Sequence, residues 1–282
     1  MNTTVKRQEK IANLLQTSCV MGILNLSSDS FSGDGSSDSE SIKKRVLEMI
    51  KEGVHFIDVG AQSTRPGATQ VPSATEEKSV KEAVELIRAL SEDVVISVDT
   101  TRVSVARMAI NSGADIINDI SGGQFDEEMF EVLKQHPHIF YVIGHTEGTF
   151  QTMHTSYVYQ DVVDEILIYA KKQLLTLESF GIASNRVIVD PCIGFSKNKE
   201  QNIYILRHIE RLAQGLPVPM LIGLSRKGFI KKYTNVEDND SLDRYTLTLN
   251  SILLGKGVKV IRTHEVHHTM KMLQLLNQIY EH

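Results

Sequence analysis

Short apolar runs recur along this chain, and each one ends in polar or charged residues. The first covers residues 19–24, ends at Asn25 and is followed by a stretch rich in Ser, Asp and Gly. Runs rich in Val and Ile repeat this change at residues 55–60, 94–99, 114–119, 139–144, 187–190, 220–224 and 258–264. Continuous apolar runs of this length are typical of strands covered on both faces, as in a parallel sheet. The pattern therefore predicts buried parallel strands.

Helical patterns occupy the segments between these runs. Apolar residues recur at intervals of three or four, which places them on one face of a helix, at Val80, Ala83, Val84, Ile87 and Leu90. Ser73 and Glu76 precede this face with the spacing of a capping box. Similar patterns follow at residues 128–136, 163–174, 200–213 and 246–257. Helices thus alternate with strands along the chain.

Alternating strands and helices predict an α/β fold, and we expect a single (β/α)8 TIM barrel. Such barrels typically have about 250 residues and place the active site at the C-terminal ends of the strands. A doubly wound open sheet is the alternative, but it binds ligands at one switch point and uses few strand ends. A barrel explains why every run ends in polar residues. We expect one domain over residues 1–282, with residues 1–17 as an N-terminal extension and residues 32–41 as a mobile loop.

Composition narrows the class of protein further. The chain has 282 residues, 41% hydrophobic and 23% charged, which is typical of a globular protein. Its net charge of -5 argues against a general surface for nucleic acid or anionic membranes. The two cysteines are too few for a disulfide framework, and the N-terminus lacks the apolar core of a secretory signal. We therefore expect a cytoplasmic protein with no nucleic-acid or membrane partner.

The polar residues at the predicted strand ends indicate two kinds of binding. Asp99, Asn118, Asp190 and Lys227 would converge at the mouth, where the carboxylates can accept hydrogen bonds from neighbouring N–H groups of a heterocycle. Asp58 ends a similar run, and the sequence leaves open whether it binds ligand or is a buried structural support.

The first and last predicted strands are neighbours in a closed barrel, and their ends carry groups suited to an anion. Arg262 and His264 alternate on the last strand, so that both side chains point to the same side. Together with Asn25 they would form a site for phosphate or pyrophosphate. A Mg2+ ion, which prefers oxygen ligands, could be shared between the Asn25 oxygen and the phosphates.

The motifs at these strand ends resemble those of the dihydropteroate synthase family, and they occur in order along the whole chain. They are MGILNLSSDSFSGDG, DVGAQSTRPGA, ISVDTTR, ADIINDISGG, VIVDPCIGFSK, LIGLSRKGFI and VIRTHEV. The resemblance implies a transferase of folate biosynthesis. It would condense 6-hydroxymethyl-7,8-dihydropterin diphosphate with 4-aminobenzoate to give 7,8-dihydropteroate and pyrophosphate. It also implies a homodimer and a target of sulfonamides.

The resemblance also implies roles for individual residues. Asn25 matches the ligand of Mg2+ and pyrophosphate, and Arg262 and His264 match the residues that bind pyrophosphate. The residues that match the pterin site are Asp99, Asn118, Asp190 and Lys227. Thr64 and Arg65 match the second mobile loop, and Phe195 matches the aromatic ring near the aminobenzoate. We expect Asp99, Lys227, Arg262 and His264 to take part in catalysis.

The chain departs from the family pattern at several positions, and the resemblance places the changes in the first loop and at Gly228 on the side of the acceptor amine. Ser28 replaces a Pro, Gly33-Asp34 stands where Asp-Gly is usual, Ala61-Gln62 replaces Gly-Glu, Gly144 replaces a Met, Cys192 replaces a Gly, and Gly228 replaces a Ser or Arg. The residues expected to bind pterin and pyrophosphate are intact. Recognition of the pterin diphosphate therefore has more support in the sequence than the identity of the acceptor.

Three other functions remain compatible with parts of the sequence. His264 to His268 reads HEVHH, which matches the zinc peptidase motif H-E-x-x-H, although that motif requires both histidines on one helix. A methyltetrahydrofolate-binding corrinoid methyltransferase would share the pterin-end residues but has no need of Ser225-Arg226-Lys227. A pterin-binding paralogue without synthase activity is the third, and release of pyrophosphate would separate a synthase from all of these.

Overall fold

Eight parallel strands form the centre of the protein in the computed structural model, which describes residues 3–26 and 36–280. The strands are β1 Cys19–Asn25, β2 Phe56–Gly60, β3 Val95–Asp99, β4 Ile116–Asp119, β5 Phe140–Gly144, β6 Val187–Asp190, β7 Leu221–Ile222 and β8 Val260–Thr263. Each coincides with one of the apolar runs. The sheet order is β6-β5-β4-β3-β2-β1-β8-β7, so the first and last strands of the chain pair in parallel.

The sheet closes into a barrel between β6 and β7 through much less pairing than elsewhere. Val189 and Met220 form an isolated bridge there, and the Val189 N–H donates to the Pro219 carbonyl over 2.9 Å. By contrast, β1 and β2 share five paired positions. The prediction of a (β/α)8 barrel is confirmed, and β7, with two residues, is shorter than its apolar run indicated.

Helices surround the barrel and connect its strands. Those in the described residues are α1 Thr3–Leu14, α2 Ser36–Lys51, α3 Ser73–Leu90, α4 Val103–Ser112, α5 Met129–Gln135, α6 Val162–Ser179, α7 Lys199–Arg207, α8 Ile209–Gly215, α9 Gly228–Thr234, α10 Asn239–Leu254 and α11 Val266–Tyr280. The pattern at residues 200–213 forms two helices that break at His208, where the backbone leaves helical geometry. None of these helices is long and apolar enough to cross a membrane.

The capping box predicted at Ser73 and Glu76 is wrong. Pro72 is the N-cap of α3 and makes no side-chain cap. Glu76 is buried instead, where it accepts a hydrogen bond from Thr100 over 2.8 Å and pairs with Arg102 over 2.9 Å. The Glu76 carboxylate therefore forms a tertiary ion pair and is not part of the helix cap that the local pattern predicted. Of the predicted loop at residues 32–41, residues 36–41 belong instead to α2, and residues 32–35 lie outside the described residues.

The N-terminal helix α1 lies against the end of the barrel where the strands begin. Ile11 and Leu15 pack into one buried cluster with first residues of strands such as Cys19 and Val95. Arg7 donates to Asp115 over 2.7 Å, and Lys10 donates to the Asp93 carbonyl over 2.9 Å. The opposite end of the barrel is therefore left for a ligand.

Candidate active site

Strand register brings the predicted site residues to one mouth. Asp99 ends β3 directly beside Asn118 of β4, and Asp190 ends β6 beside Gly144 of β5. Lys227 follows β7 after a short loop and is the N-cap residue of α9. The predicted convergence of Asp99, Asn118 and Asp190 at the strand ends therefore follows from the register.

Arg262 lies at the centre of a hydrogen-bonded network in this mouth. Its Nε donates to Asp58 Oδ2 over 2.6 Å, and its Nη2 donates to Asp99 Oδ2 over 2.8 Å. Asn118 Nδ2 donates to the same Asp58 oxygen over 3.2 Å. Asp58 is fully buried, so it acts as a support that orients both Arg262 and Asn118. This answers the question about Asp58 that the sequence left open.

The charges in this network shift each other's protonation. Burial raises the pKa of Asp99 to about 7; Arg262 opposes this shift, while Asp58 and other carboxylates add to it. Burial alone would lower the pKa of Arg262, but Asp58 and Asp99 raise it above its ordinary value. Burial also raises the pKa of Asp190, and the Cys192 N–H and Lys227 work against that rise. Arg262 is thus a permanent cation beside a carboxyl group that titrates near neutral pH.

His264 and Asn25 meet at the junction between the last and first strands. Asn25 Nδ2 and His264 Nε2 are 3.3 Å apart, and His264 Nδ1 lies 3.0 Å from Ser225 Oγ. Burial, together with the charges of Arg226, Arg262 and other arginines, lowers the pKa of His264 to about 3. His264 is therefore a neutral imidazole at physiological pH and brings no charge to an anion.

Within the described residues, the side chain of Arg262 hydrogen-bonds to its two carboxylates and not to Asn25 or His264. Its Nη1 makes no hydrogen bond to the described part of the chain, and guanidinium has five N–H donors. Two carboxylate contacts therefore still leave donors for a ligand. The structure brings Asn25 and His264 together, and it places Arg262 with Asp58 and Asp99.

An aromatic and cationic cluster lies on the other side of the mouth. The Lys227 ammonium lies 4.2 Å from the centroid of the Phe195 ring. Burial lowers the pKa of Lys227, and Asp190 opposes this shift. His154 stacks on Phe195 with a centroid separation of 5.3 Å. Thr64 reaches this cluster through its carbonyl oxygen, which lies 2.8 Å from His154 Nε2.

The loop that follows β2, residues 61–72 and here called the β2 loop, carries Thr64 and the exposed Arg65. Gln62 closes the base of this loop with three hydrogen bonds. Its Oε1 accepts from the Val71 N–H over 2.7 Å, and its Nε2 donates to the carbonyls of Ser63 and Thr69. A glutamate carboxylate could not donate these last two bonds, so the departure from Glu to Gln is structurally consistent.

The other departures within the described residues have different physical settings. Cys192 adopts a left-handed conformation with φ 49°, which a glycine would adopt at no steric cost. A Cβ on Gly144 would lie 2.5 Å from the Ile120 backbone, so no larger residue fits there without a shift. A Cβ on Gly228 would meet nothing within 4 Å. The departures at Ser28, Gly33 and Asp34 lie outside the described residues.

Sequence analysis did not single out His154, and it assigned no role in the mouth to Gln62 or Ser225. Asp58 carried a signal, because a charged residue at the end of a buried run requires a partner. Ser225 lies within the quoted Ser-Arg-Lys motif. His154 lies in the loop after β5, residues 145–161 and here called the β5 loop, with nothing in its neighbourhood to mark it.

The zinc peptidase interpretation is wrong in its geometry. β8 ends at Thr263 and α11 begins at Val266, so His264 precedes the helix that carries His268. The two histidines therefore do not share a helix face. Within residues 3–26 and 36–280, no group of three or more His, Cys, Asp or Glu is placed to hold a metal ion.

A parallel barrel with carboxylates, an amide and two cations at its C-terminal mouth defines an α/β-barrel enzyme with a polar binding site. Residues 21–264 match the model of a family described as pterin binding enzyme. A dihydropteroate synthase of Synechocystis sp. is 36% identical over 264 residues, which covers 93% of this chain and 90% of that protein. The chain therefore belongs to the dihydropteroate synthase family of pterin binding enzymes.

Solved structures agree with this assignment. The dihydropteroate synthase of Xanthomonas albilineans with 4-aminobenzoic acid has a TM-score of 0.85 and 31% identity, and the match covers 94% of both chains. The dihydropteroate synthase of Yersinia pestis with a sulfonamide drug has a TM-score of 0.86 and 29% identity, covering 95% of this chain and 96% of that one. The family resemblance read from the seven motifs is confirmed.

Proposed function

We propose that this mouth binds 6-hydroxymethyl-7,8-dihydropterin diphosphate and condenses it with 4-aminobenzoate, which gives 7,8-dihydropteroate and pyrophosphate. Membership of the dihydropteroate synthase family supports the reaction. The proposed residue roles rest on one observation. One mouth holds the polar residues Asp99, Asn118 and Asp190 together with the cations Lys227 and Arg262.

The pterin is held by the acceptor-rich part of the mouth. Asp190 uses Oδ1 to accept the Cys192 N–H over 2.7 Å, and its Oδ2 has no hydrogen bond within the described residues. That oxygen is suited to the amino-pyrimidinone edge of the pterin, which presents N–H donors. Asn118 is fixed through Nδ2 by Asp58, so its Oδ1 remains to accept from the ring. Burial raises the pKa of Asp190, and the Cys192 N–H and the Lys227 charge both oppose this rise.

Cleavage of the bond to the diphosphate leaves a positive charge on the pterin and a negative charge on the leaving group. Ionised Asp99 stabilises the pterin cation, and Arg262 donates hydrogen bonds to the leaving oxygens. Neutral His264 accepts from Asn25 Nδ2 through Nε2 and so orients the Asn25 side chain beside the leaving group. The ion pair between Arg262 and Asp99 holds both groups in place before the substrate arrives, which limits reorganisation during the reaction.

A Mg2+ ion fits this mouth only as a partner of the substrate. Asn25 is exposed, and with Nδ2 donating to His264 its Oδ1 is available to a hard cation. Mg2+ usually keeps several waters and is bound through few protein oxygens together with substrate phosphates. Bound there with the diphosphate, the ion would neutralise negative charge on the leaving group.

The acceptor amine enters on the side of Phe195. The Phe195 ring and the Lys227 ammonium provide an apolar face and a positive charge for an aromatic carboxylate. Thr64 and Arg65, on the β2 loop, complete that side. The arylamine attacks in its neutral form, so the reaction needs no strongly basic side chain.

One assay tests this function against its alternatives. Purified protein is incubated with Mg2+, the pterin diphosphate and 4-aminobenzoate, and both pyrophosphate and dihydropteroate are measured. We expect stoichiometric formation of the two products. Tight binding of pterin diphosphate without turnover would instead indicate the inactive paralogue, and methyl transfer from methyltetrahydrofolate to a corrinoid would indicate the methyltransferase.

We also propose that the protein is a cytoplasmic homodimer of single-domain subunits. Tyr245 and Ile252 on α10 and Leu275 and Ile279 on α11 are exposed, and these two helices pack against each other. An exposed apolar face of this kind favours association with a second copy. Cys19 and Cys192 are both free and buried, which agrees with a reducing compartment.

A further inference from the structure

His154 connects two parts of the mouth that belong to different strands. Its Nε2 lies 2.8 Å from the Thr64 carbonyl, and its ring stacks on Phe195 with an interplanar angle of 27°. A carbonyl oxygen only accepts, so Nε2 carries the proton and donates. The side chain therefore touches the β2 loop and the aromatic ring of the β6 side at the same time.

The β5 loop that carries His154 is anchored to the segment that carries Phe195. The Ser196 N–H donates to the Met153 carbonyl over 2.6 Å, and the Glu147 N–H donates to Ser196 Oγ over 3.1 Å. Met153 and Phe195 also share a buried apolar cluster. His154 is thus fixed at its base, immediately beside a backbone hydrogen bond.

The β2 loop has little support of its own beyond its base. Gln62 closes the base, and the Ala68 N–H donates to the Arg65 carbonyl within the tip. The hydrogen bond from His154 joins this tip to another part of the protein. A cleft of about 290 Å³ lies between the two loops, with Arg65, Phe150 and His154 among its lining residues. The hydrogen bond from His154 to Thr64 therefore fixes the position of the β2 loop relative to Phe195.

We propose that His154 is a positioning residue that fixes the β2 loop against Phe195 and thereby sets the affinity for the aromatic acceptor. This inference rests on the proposed function, because it assigns the acceptor to the side of Phe195. None of the hydrogen bonds or ring contacts of His154 within the described residues involves Asp99, Asn118 or Arg262. The effect of His154 is therefore confined to the acceptor and does not extend to the pterin diphosphate.

The test replaces His154 and measures each substrate separately. His154→Ala removes both contacts, His154→Gln retains a donor without the ring, and His154→Phe retains a ring without the donor. His208→Ala is the matched control, because His208, between α7 and α8, also contacts a ring, that of Tyr204 at a centroid distance of 4.1 Å, and its Nδ1 lies 2.9 Å from the Tyr204 carbonyl oxygen. Hydrogen exchange of the peptide covering residues 61–72 is followed in parallel without ligand.

We expect His154→Ala to raise the KM for 4-aminobenzoate about fivefold, the effect of losing one ordinary hydrogen bond. The KM for the pterin diphosphate should remain unchanged, and the inhibition constant of a sulfonamide should rise in parallel with the acceptor KM. Exchange in the β2 loop should become faster. His154→Gln and His154→Phe should each recover part of the loss, and His208→Ala should match the wild type.

Several results would overturn the inference. Equal changes in both KM values would show a general loss of structure, and an unchanged acceptor KM would show no role. A lower acceptor KM in His154→Ala would show that the ring obstructs the acceptor. Absence of turnover in the wild type would overturn the proposed function, and hydrogen exchange in His154→Ala would then decide alone whether His154 holds the loop.

Discussion

At the scale of single residues, the mouth depends on Arg262 and the two carboxylates that hold it. Asp58 and Asp99 orient the guanidinium by hydrogen bonds of 2.6 and 2.8 Å, and Asp58 in turn orients Asn118. A change in any one member therefore affects both the pterin and the leaving group. Predictions for single substitutions have to separate these effects.

Replacing Arg262 should affect turnover most strongly. Arg262→Ala removes the donors to the leaving oxygens, a loss of about 2–4 kcal/mol in transition-state stabilisation by comparison with oxyanion donors. It also leaves the buried Asp58 without its cation, so the free energy of unfolding should fall. We expect kcat to drop and Arg244→Ala, on the exposed face of α10, to leave it unchanged. Near-normal turnover in Arg262→Ala would contradict the assignment.

The raised pKa of Asp99 predicts opposite pH dependences for stability and activity. Between its ordinary value of 3.8 and about 7, the folded protein holds the proton more tightly than the unfolded chain does. The contribution of Asp99 to the free energy of unfolding therefore falls as the pH rises through this range. Activity needs the ionised form, so kcat/KM should rise with pH through about 7.

Asp99→Asn provides the measurement for both effects. Denaturant titration measures the free energy of unfolding of both proteins. Between pH 4 and pH 7, that of the wild type should fall relative to that of Asp99→Asn. The variant should have low activity, and the acid limb of its kcat/KM profile should disappear. An unchanged acid limb in the variant would assign that titration to another group.

Gly228 allows a direct test of the acceptor side. A Cβ there meets nothing within 4 Å, so Gly228→Ser adds a hydroxyl without a clash. A hydrogen bond to a charged group contributes about 1.5–3 kcal/mol, so we expect the KM for 4-aminobenzoate to fall by roughly tenfold or more. Gly228→Ala is the control that adds the Cβ alone. An unchanged KM in the Ser variant, or an equal fall in both, would reject a role for the hydroxyl.

At the scale of elements, the end of β5 and the turn after β4 approach so closely that only glycine fits at Gly144. A Cβ there would lie 2.5 Å from backbone atoms of Ile120, and backbone yields less readily than a side chain. Gly144→Ala should therefore lower the free energy of unfolding by about 1–3 kcal/mol, measured by denaturant titration. Gly228→Ala, with open space around its Cβ, should change stability far less. Equal stability of the two variants would show that the turn adapts.

Strand positions were predictable from sequence because a buried parallel strand is marked by its own residues. Asp190 ends both the apolar run and β6, for example. The ends of helices were less predictable, because Glu76 forms an ion pair with Arg102 instead of capping α3. The contacts that complete the site were not predictable at all. His154 and Thr64 are 90 positions apart, and only the packing of two loops brings them together.

At the scale of the whole molecule, α10 and α11 present the apolar face proposed for dimerisation. Leu275→Glu combined with Ile279→Lys places charges on that face, where they would be desolvated in a dimer. We expect sedimentation to show a monomer for this variant and a dimer for the wild type. Ile168→Glu on α6, which is also exposed, serves as the control. A dimer in the double variant would show that the interface lies elsewhere on the protein.

The barrel closes between β6 and β7 with few paired positions, and this affects how the sequence of the enzyme can change under selection. Phe195 follows β6 and Lys227 follows β7, so the proposed acceptor side spans the least paired junction, whereas Asp99 and Asn118 lie between strands paired over several positions. Substitutions near the junction disturb fewer strand pairings. An inhibitor that competes with the acceptor therefore meets a part of the enzyme whose sequence can diverge at a lower cost to folding, and resistance should arise there before it arises around Asp99 and Asn118.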